Sequence, residues 1–280
     1  MLSISIVTPS LNQGAYLQEA LQSVAGQNYP ACEHLVFDGG STDNSVRILR
    51  ELSGMPEWHQ LRWVSEPDHG QSEALNKGFR QARGDIVGWL NADDRYLPGC
   101  FEKAAQFFAR HPEVDIAYGD YRWIDQCGTV LQVRREIGFS RFVLMYHHVL
   151  FVPSTATFMR RRIFEQGYFL DPTYHYAMDF EFFLRLSLQG WKFRHLPTML
   201  ADFRWQTDNK SRRGWEQQRG EHARAVFRHS PVLRLCGPGR LGRQVLRCFR
   251  AMAQMRRWSE KAVRGYYLTQ FRCSTPYRNQ

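Results

Sequence analysis

No apolar run in the chain is long enough to span a membrane; the nearest, Phe142 to Met159, is interrupted by His147, His148 and Pro153. A basic and then apolar leader is also missing, and Ser3-Ile4-Ser5-Ile6-Val7 instead alternates as a strand does. No C-x-x-C pair occurs. Cys32, Cys100, Cys127, Cys236, Cys248 and Cys273 are scattered, which argues against a zinc site or disulfide frame and for reduced thiols in a cytoplasmic protein. There is no low-complexity tract, and a 14% aromatic content speaks against disorder. Acid is scarce only at one end. Residues 212–280 hold 16 Lys+Arg against Glu216, Glu221 and Glu260, whereas residues 1–211 hold 21 basic and 24 acidic side chains. The net charge of +10 thus belongs to an appendage. Two parts are expected: an α/β domain over 1–211 and a basic helical extension over 212–280.

The first part alternates strand and helix, the pattern of a mostly parallel sheet with helices on both faces. Strands are predicted at Ile4–Thr8, His34–Phe37, Leu61–Val64, Gly84–Leu90 and Asp115–Tyr118. Helices are predicted around Leu17–Val24, Val46–Leu52, Ser72–Gln81, Phe101–Arg110 and Phe180–Leu188, and Phe193–Trp205 reads as extended. In such folds ligands gather outside the carboxyl ends of the strands. Three polar strand ends should therefore share one crevice: Thr8-Pro9-Ser10, Asp38-Gly39-Gly40 and Asn91-Ala92-Asp93-Asp94. Oxygen ligands in the last suit Mg²⁺ or Mn²⁺, which in turn suit a diphosphate.

These strand ends sit in longer motifs: Ser5-Ile6-Val7-Thr8-Pro9-Ser10-Leu11-Asn12, Phe37-Asp38-Gly39-Gly40-Ser41-Thr42-Asp43, Ser65-Glu66-Pro67-Asp68-His69-Gly70 through Gly78, Gly88-Trp89-Leu90-Asn91-Ala92-Asp93-Asp94, and Tyr176-Ala177-Met178-Asp179-Phe180-Glu181. In that order, over roughly 1–211, they resemble the inverting family 2 glycosyltransferases of the GT-A fold, of the bacterial polysaccharide and glycolipid type. The resemblance implies a Rossmann-like domain that moves a sugar from a nucleotide-sugar donor, UDP- ahead of GDP- or dTDP-, to a glycan or lipid-linked glycan acceptor. Thr8, Pro9 and Ser10 would then line the nucleotide pocket, with Asp38 and Gly39 near base and ribose. Asp68 and Asn76 would border the nucleotide or sugar, and Asn91 and Ala92 would complete the pocket. Asp93, with Asp94 assisting, would hold Mn²⁺ or Mg²⁺, and Asp179 would be the base that takes the acceptor's proton.

Plainer readings stand beside these. Asp179 can cap the helix that follows it, Asp38 can be a turn acid, and Glu181 suits a helix's first turn. Lys77 can be a solvated helix residue, and adjacent His147 and His148 point apart, which disfavours a metal pair. Three positions depart from the family: Gly39 replaces a second acid that commonly reads the base, Asn91 replaces the metal motif's first acid, and Gln206 stands where a His is frequent. Lys210 is a candidate for the missing charge. Other classes considered are a sugar-phosphate nucleotidyltransferase, which should open with a Gly-rich basic loop, and a non-catalytic sugar-nucleotide or glycan binder.

The tail from Arg240 reads as a two-faced helix. Arg243, Arg247, Arg250, Gln254, Arg257 and Lys261 form one stripe, and Leu241, Val245, Cys248, Phe249, Met252 and Met255 another. Either the apolar face packs on the domain or a partner and leaves the arginines solvated, or the helix meets an anionic membrane surface, placing the protein peripherally on the inner face of the plasma membrane. No motif supports nucleic acid.

Overall fold

The computed structural model describes residues 1–147, 149–205 and 214–267. Its first half follows the alternation. Strands β1 (Ile4–Ser10), β2 (Cys32–Asp38), β3 (Leu61–Ser65) and β4 (Ile86–Trp89) pair in parallel in the order β3-β2-β1-β4. Helices α1 (Leu17–Ala25), α2 (Ser45–Ser53) and α3 (Gln71–Gln81) cross between them, followed by α4 (Cys100–Arg110). A central parallel strand is covered on both faces, so β1 is buried along its whole length. On one face Val7 packs with Leu75 and Phe79 of α3; on the other Ile4 and Ile6 meet Ala20, Phe101 and Phe108 of α1 and α4. Gly78 permits this closeness: a Cβ there would lie 2.2 Å from Val7 Cγ1.

Beyond β4 the sheet is mixed rather than mostly parallel. Strands β5 (Arg95–Tyr96), β6 (Ile116–Ile124), β7 (Val130–Arg134), β8 (Thr157–Arg160) and β9 (Phe193–Arg204) extend the order to β3-β2-β1-β4-β8-β6-β9-β5, with β7 on β6. β8 runs antiparallel between β4 and β6, and β6 and β9 are parallel to each other. The carboxyl ends of β6 and β9 therefore open on the same side as those of β1, β2 and β4. β5 folds back from the acidic loop onto Ala201 and Asp202 of β9.

The remaining helices are α5 (Arg141–Tyr146), α6 (Arg162–Glu165), α7 (Met178–Leu188), α8 (Trp215–His229), α9 (Pro231–Cys236) and α10 (Arg240–Val263). The last three share the domain's apolar cluster: Ala225, Val226, Leu233, Leu246 and Ala253 pack in one body with Val7, Trp89 and Phe183. On α10 the expected faces are exchanged at the C-terminal end. Arg257 and Lys261, expected in the solvated stripe, are buried against Glu136, with Arg257 Nη2 at 2.7 Å and Lys261 Nζ at 3.4 Å. Leu241, Cys248, Met252 and Met255, on the face expected either to pack or to meet a membrane, are exposed. The cause is Glu136. A carboxylate fully removed from water requires cations, and the helix must roll to supply them.

Candidate active site

The nucleotide wall is built on the ends of β1 and β2. Thr8 is fully buried and its hydroxyl lies 2.9 Å from His34 Nε2, an imidazole whose pKa burial pushes down to about 3. Thr8 therefore braces two strands. Pro9 is buried beside it. Ser10 is also buried, but its hydroxyl has no hydrogen-bond partner among the described residues, a costly state at the end of a strand unless a ligand supplies one. Asp38 fits the turn reading. One oxygen accepts from Ser65 Oγ at 2.7 Å and from the amides of Ser41 at 2.9 Å and Gly40 at 3.2 Å, and the other accepts from Ser41 Oγ. Gly39 and Asp68 meet: a Cβ at 39 would lie 2.8 Å from Asp68 Oδ2, so the Asp68 carboxylate fills the space a side chain at 39 would take. Asp68 is half-buried, with Oδ1 accepting from Gly70 N at 2.8 Å.

In the acidic loop, neighbouring residues have opposite surroundings. Asn91 faces inward: its Oδ1 accepts from Gln71 Nε2 at 3.0 Å and Trp89 Nε1 at 2.8 Å, and its Nδ2 donates to Asp94 at 3.0 Å. Ala92 is buried in the apolar cluster under α1 and α2. Asp94 is buried, accepting from Thr155 Oγ1 and Asn91 at one oxygen and from Arg204 N at 2.9 Å at the other. Burial, and next the charge of Asp93, pushes its carboxyl up to about 8. Hydrogen bonds thus hold Asn91 and Asp94 inward, bracing the loop. Asp93 alone of the two acids is half-exposed.

Arg204, which the sequence reading passed over, pins the loop from β9. Fully buried, it donates to Asp93 O at 2.8 Å and to Asp125 O and Gln126 O at 3.0 Å, and pairs with Glu19. Beneath it buried Asp202 binds Arg95 at 2.7 Å and Arg122 at 2.6 Å. An arginine at the end of an extended segment gave no pattern by which to find it. Stacked Trp123 and Trp205, 5.0 Å apart, stand at the same ends of β6 and β9.

Asp179 lies in the first turn of α7, half-exposed, with Oδ1 accepting from Phe180 N at 2.7 Å. Glu181 is buried, 2.9 Å from Arg185 and 3.5 Å from His229; burial works to raise its pKa, but these two neighbours outweigh it and hold it low. It is a structural acid. The turn before α7 is held from α8: Glu221 accepts from the amides of His175 at 3.0 Å, Tyr176 at 2.8 Å and Ala177 at 2.8 Å. The amino end of α3 joins the two candidate acids. Gln71 holds Asn91, while Ser72 Oγ donates to Met178 Sδ at 3.0 Å, one residue from Asp179.

Asn76, expected at the donor, instead pairs with the backbone of Leu170, donating to its O and accepting from its N at 2.9 Å each. Lys77 is held by Glu66 at 2.8 Å and Glu73 at 3.0 Å. His147 is buried, accepting from Val149 N at 3.1 Å. His148, Gln206 and Lys210 lie outside the described residues. No group of three or more His, Cys, Asp or Glu side chains among the described residues could hold a metal ion. The donor set fits a hard cation held by one carboxylate, Asp93, with phosphate oxygens and water completing its shell, the usual manner for Mg²⁺.

Sheet order and the helices that cover it define a GT-A glycosyltransferase fold. Among solved structures, Staphylococcus aureus TarS in complex with UDP-GlcNAc matches with a TM-score of 0.60 at 16% identity, over 82% of this chain and 74% of that one. The mannosyltransferase PcManGT of Pyrobaculum calidifontis, in complex with GDP-Man and Mn²⁺, also matches at 0.60, with 18% identity over 81% and 63%. Residues 5–168 match the family described as Glycosyl transferase family 2, and the chain belongs to that family. An uncharacterized glycosyltransferase of Mycobacterium tuberculosis is 34% identical over 191 residues, 66% of this chain and 69% of its own length. One of Nostoc sp. is 28% identical over 177 residues, 61% of this chain but only 55% of its own length. The chondroitin synthase of Pasteurella multocida is 25% identical over 226 residues, 78% of this chain and 22% of that protein.

Proposed function

We propose that this chain transfers a sugar, with inversion, from a nucleoside-diphosphate sugar to a hydroxyl of a glycan or lipid-linked glycan in surface polysaccharide assembly. The observation that carries this reading is selective exposure. Asp38, Asp94 and Glu181 are buried, whereas Asp68, Asp93 and Asp179 keep half-exposed carboxylates on segments that meet at the amino end of α3. Asp179 accepts the proton of the acceptor hydroxyl as its oxygen bonds to the anomeric carbon. The bond from that carbon to the diphosphate breaks, and the nucleoside diphosphate leaves with the electron pair. Asp93 would hold a divalent cation, Mn²⁺ or Mg²⁺, whose chemistry when bound is to neutralise charge on the leaving diphosphate. An aspartate is ionised at neutral pH, so a base of this kind needs no unusual environment. The crevice opens after Thr8-Pro9-Ser10 without the Gly-rich basic loop that nucleotidyl transfer requires.

Asp68 reads the base in this account. With Oδ1 engaged by Gly70 N, Oδ2 suits a single donor such as the imino N–H of uracil or thymine, and Ser10 Oγ offers a second polar contact; UDP- and dTDP-sugars therefore rank ahead of GDP-sugars. TarS in complex with UDP-GlcNAc and PcManGT in complex with GDP-Man support a nucleotide-sugar donor, and the chondroitin synthase relative supports a polysaccharide product.

The deciding experiment measures nucleoside diphosphate release from UDP-, GDP- and dTDP-sugars, each with Mn²⁺, Mg²⁺ or chelator, with and without glycan acceptors. Asp179→Asn should lower transfer by about 10²–10⁴-fold while donor binding persists. Asp68→Ala should weaken UDP binding about tenfold. Nucleotide binding without turnover under every condition would instead favour a non-catalytic binder.

A further inference from the structure

The outer face of α10 is apolar although nothing among the described residues covers it. Leu241 is 60% exposed, Met252 51%, Met255 59% and Trp258 55%, and Cys248 is exposed as well. Steps of seven, four and three place Leu241, Cys248, Met252 and Met255 on one stripe, with Trp258 beside it. Exposed Arg240, Arg243 and Arg247 border the stripe on one side and exposed Arg256 on the other. The helix cannot roll to hide it. Leu246 and Ala253 sit in the domain core, Phe249 stacks near Tyr146 at 4.7 Å, and Arg257 and Lys261 are held by Glu136.

We propose that this face lies on an anionic lipid bilayer, α10 resting in the plane of the interface with its methionines and tryptophan in the headgroup boundary. At 24 residues the helix is about 36 Å long and too polar to cross. A large apolar moment bordered by arginines is the composition of an interfacial helix. Charge decides the occupant. A second copy would bring the same arginine borders together without an acid to pair them: Glu260, the one acid of α10, is already held by Arg264 at 2.8 Å and by Gly138 N at 2.7 Å. Anionic headgroups supply the missing countercharge. Such docking would keep the enzyme at the surface where lipid-linked acceptors reside, yet the surface stands on α10 alone and does not depend on the transferase reading.

The test is sedimentation of the full chain with phosphatidylcholine vesicles, with and without phosphatidylglycerol, at low and high salt. The wild type should sediment only with the anionic vesicles, and less at high salt. Changing Arg240, Arg243 and Arg247 together to Gln should lower partition roughly 100-fold. Met252→Gln with Met255→Gln should lower it at least about tenfold, with the melting temperature of this variant unchanged, because both methionines face outward. Failure of the wild type to bind anionic vesicles overturns the proposal. So does binding that survives the methionine changes, or a dimer in solution that those changes split, which would give the face to a second copy.

Discussion

Asp93 and Asp94 differ by one position in the chain and by almost everything else. A bend turns Asp93 toward the crevice and Asp94 into the protein, where Thr155, Asn91 and the Arg204 amide receive it. Titration should separate them. Folding raises the Asp94 carboxyl from 3.8 to about 8, so the folded form binds its proton more tightly. Its contribution to stability is complete below pH 3.8 and is lost as pH rises through about 8. Denaturant titrations of the wild type should lose on the order of 1 kcal/mol per pH unit across that window, and Asp94→Asn should lack this component. Equal slopes in the two proteins would mean that Asp94 is ionised in the fold. At this scale sequence was least able to discriminate. Asn76 and Thr8 occupy motif positions, but hydrogen bonds to Leu170 and His34, distant in the chain, claim their polar atoms.

At the scale of elements, α7 presents the candidate base and α8 holds α7 in place. Three backbone amides ahead of Asp179 donate to one carboxylate, Glu221, and Phe180 stacks on His222 at 4.0 Å. Replacing Glu221 with Ala leaves those donors without their acceptor, at a cost of about 1–3 kcal/mol, and frees the turn. The expected kinetic result is a fall in kcat with donor affinity nearly unchanged, read from initial rates and from nucleotide titration. A loss of donor affinity as large as the loss of kcat would put Glu221 at the donor instead. The helices that carry this bracket belong to the basic extension, whose composition suggested an appendage separate from the chemistry. Periodicity located α1 and α2, because an amphipathic repeat is a local property, whereas the two-residue β5 is too short to show any period.

For the whole molecule, the question is what binds the last helix to the domain. Glu136, fully buried, draws Arg257 and Lys261 inward and has Arg134 at 3.8 Å. Burial lowers the Lys261 pKa to about 8 even though Glu136 opposes that shift. The cluster holds more positive than negative charge, so its single carboxylate is decisive. Glu136→Gln should destabilise the protein by about 3–5 kcal/mol in chemical denaturation, since it leaves buried cations without a counter-ion. A loss under about 1 kcal/mol would show that apolar contacts alone hold α10.

Strand–helix alternation, the order of the motifs and the charge difference between the two ends are all properties of neighbouring residues. Sequence alone therefore determined the α/β class, the family resemblance, the crevice at the strand ends and the helical, basic tail. Which carboxylates stay exposed was decided by tertiary structure, because burial and hydrogen bonding depend on partners as far apart as Asp94 and Arg204. The same holds for the orientation of α10. Hydrophobic periodicity left open whether Met252 and Met255 pack inward or face outward, and a buried carboxylate on another element drew the basic end inward and left the methionines exposed.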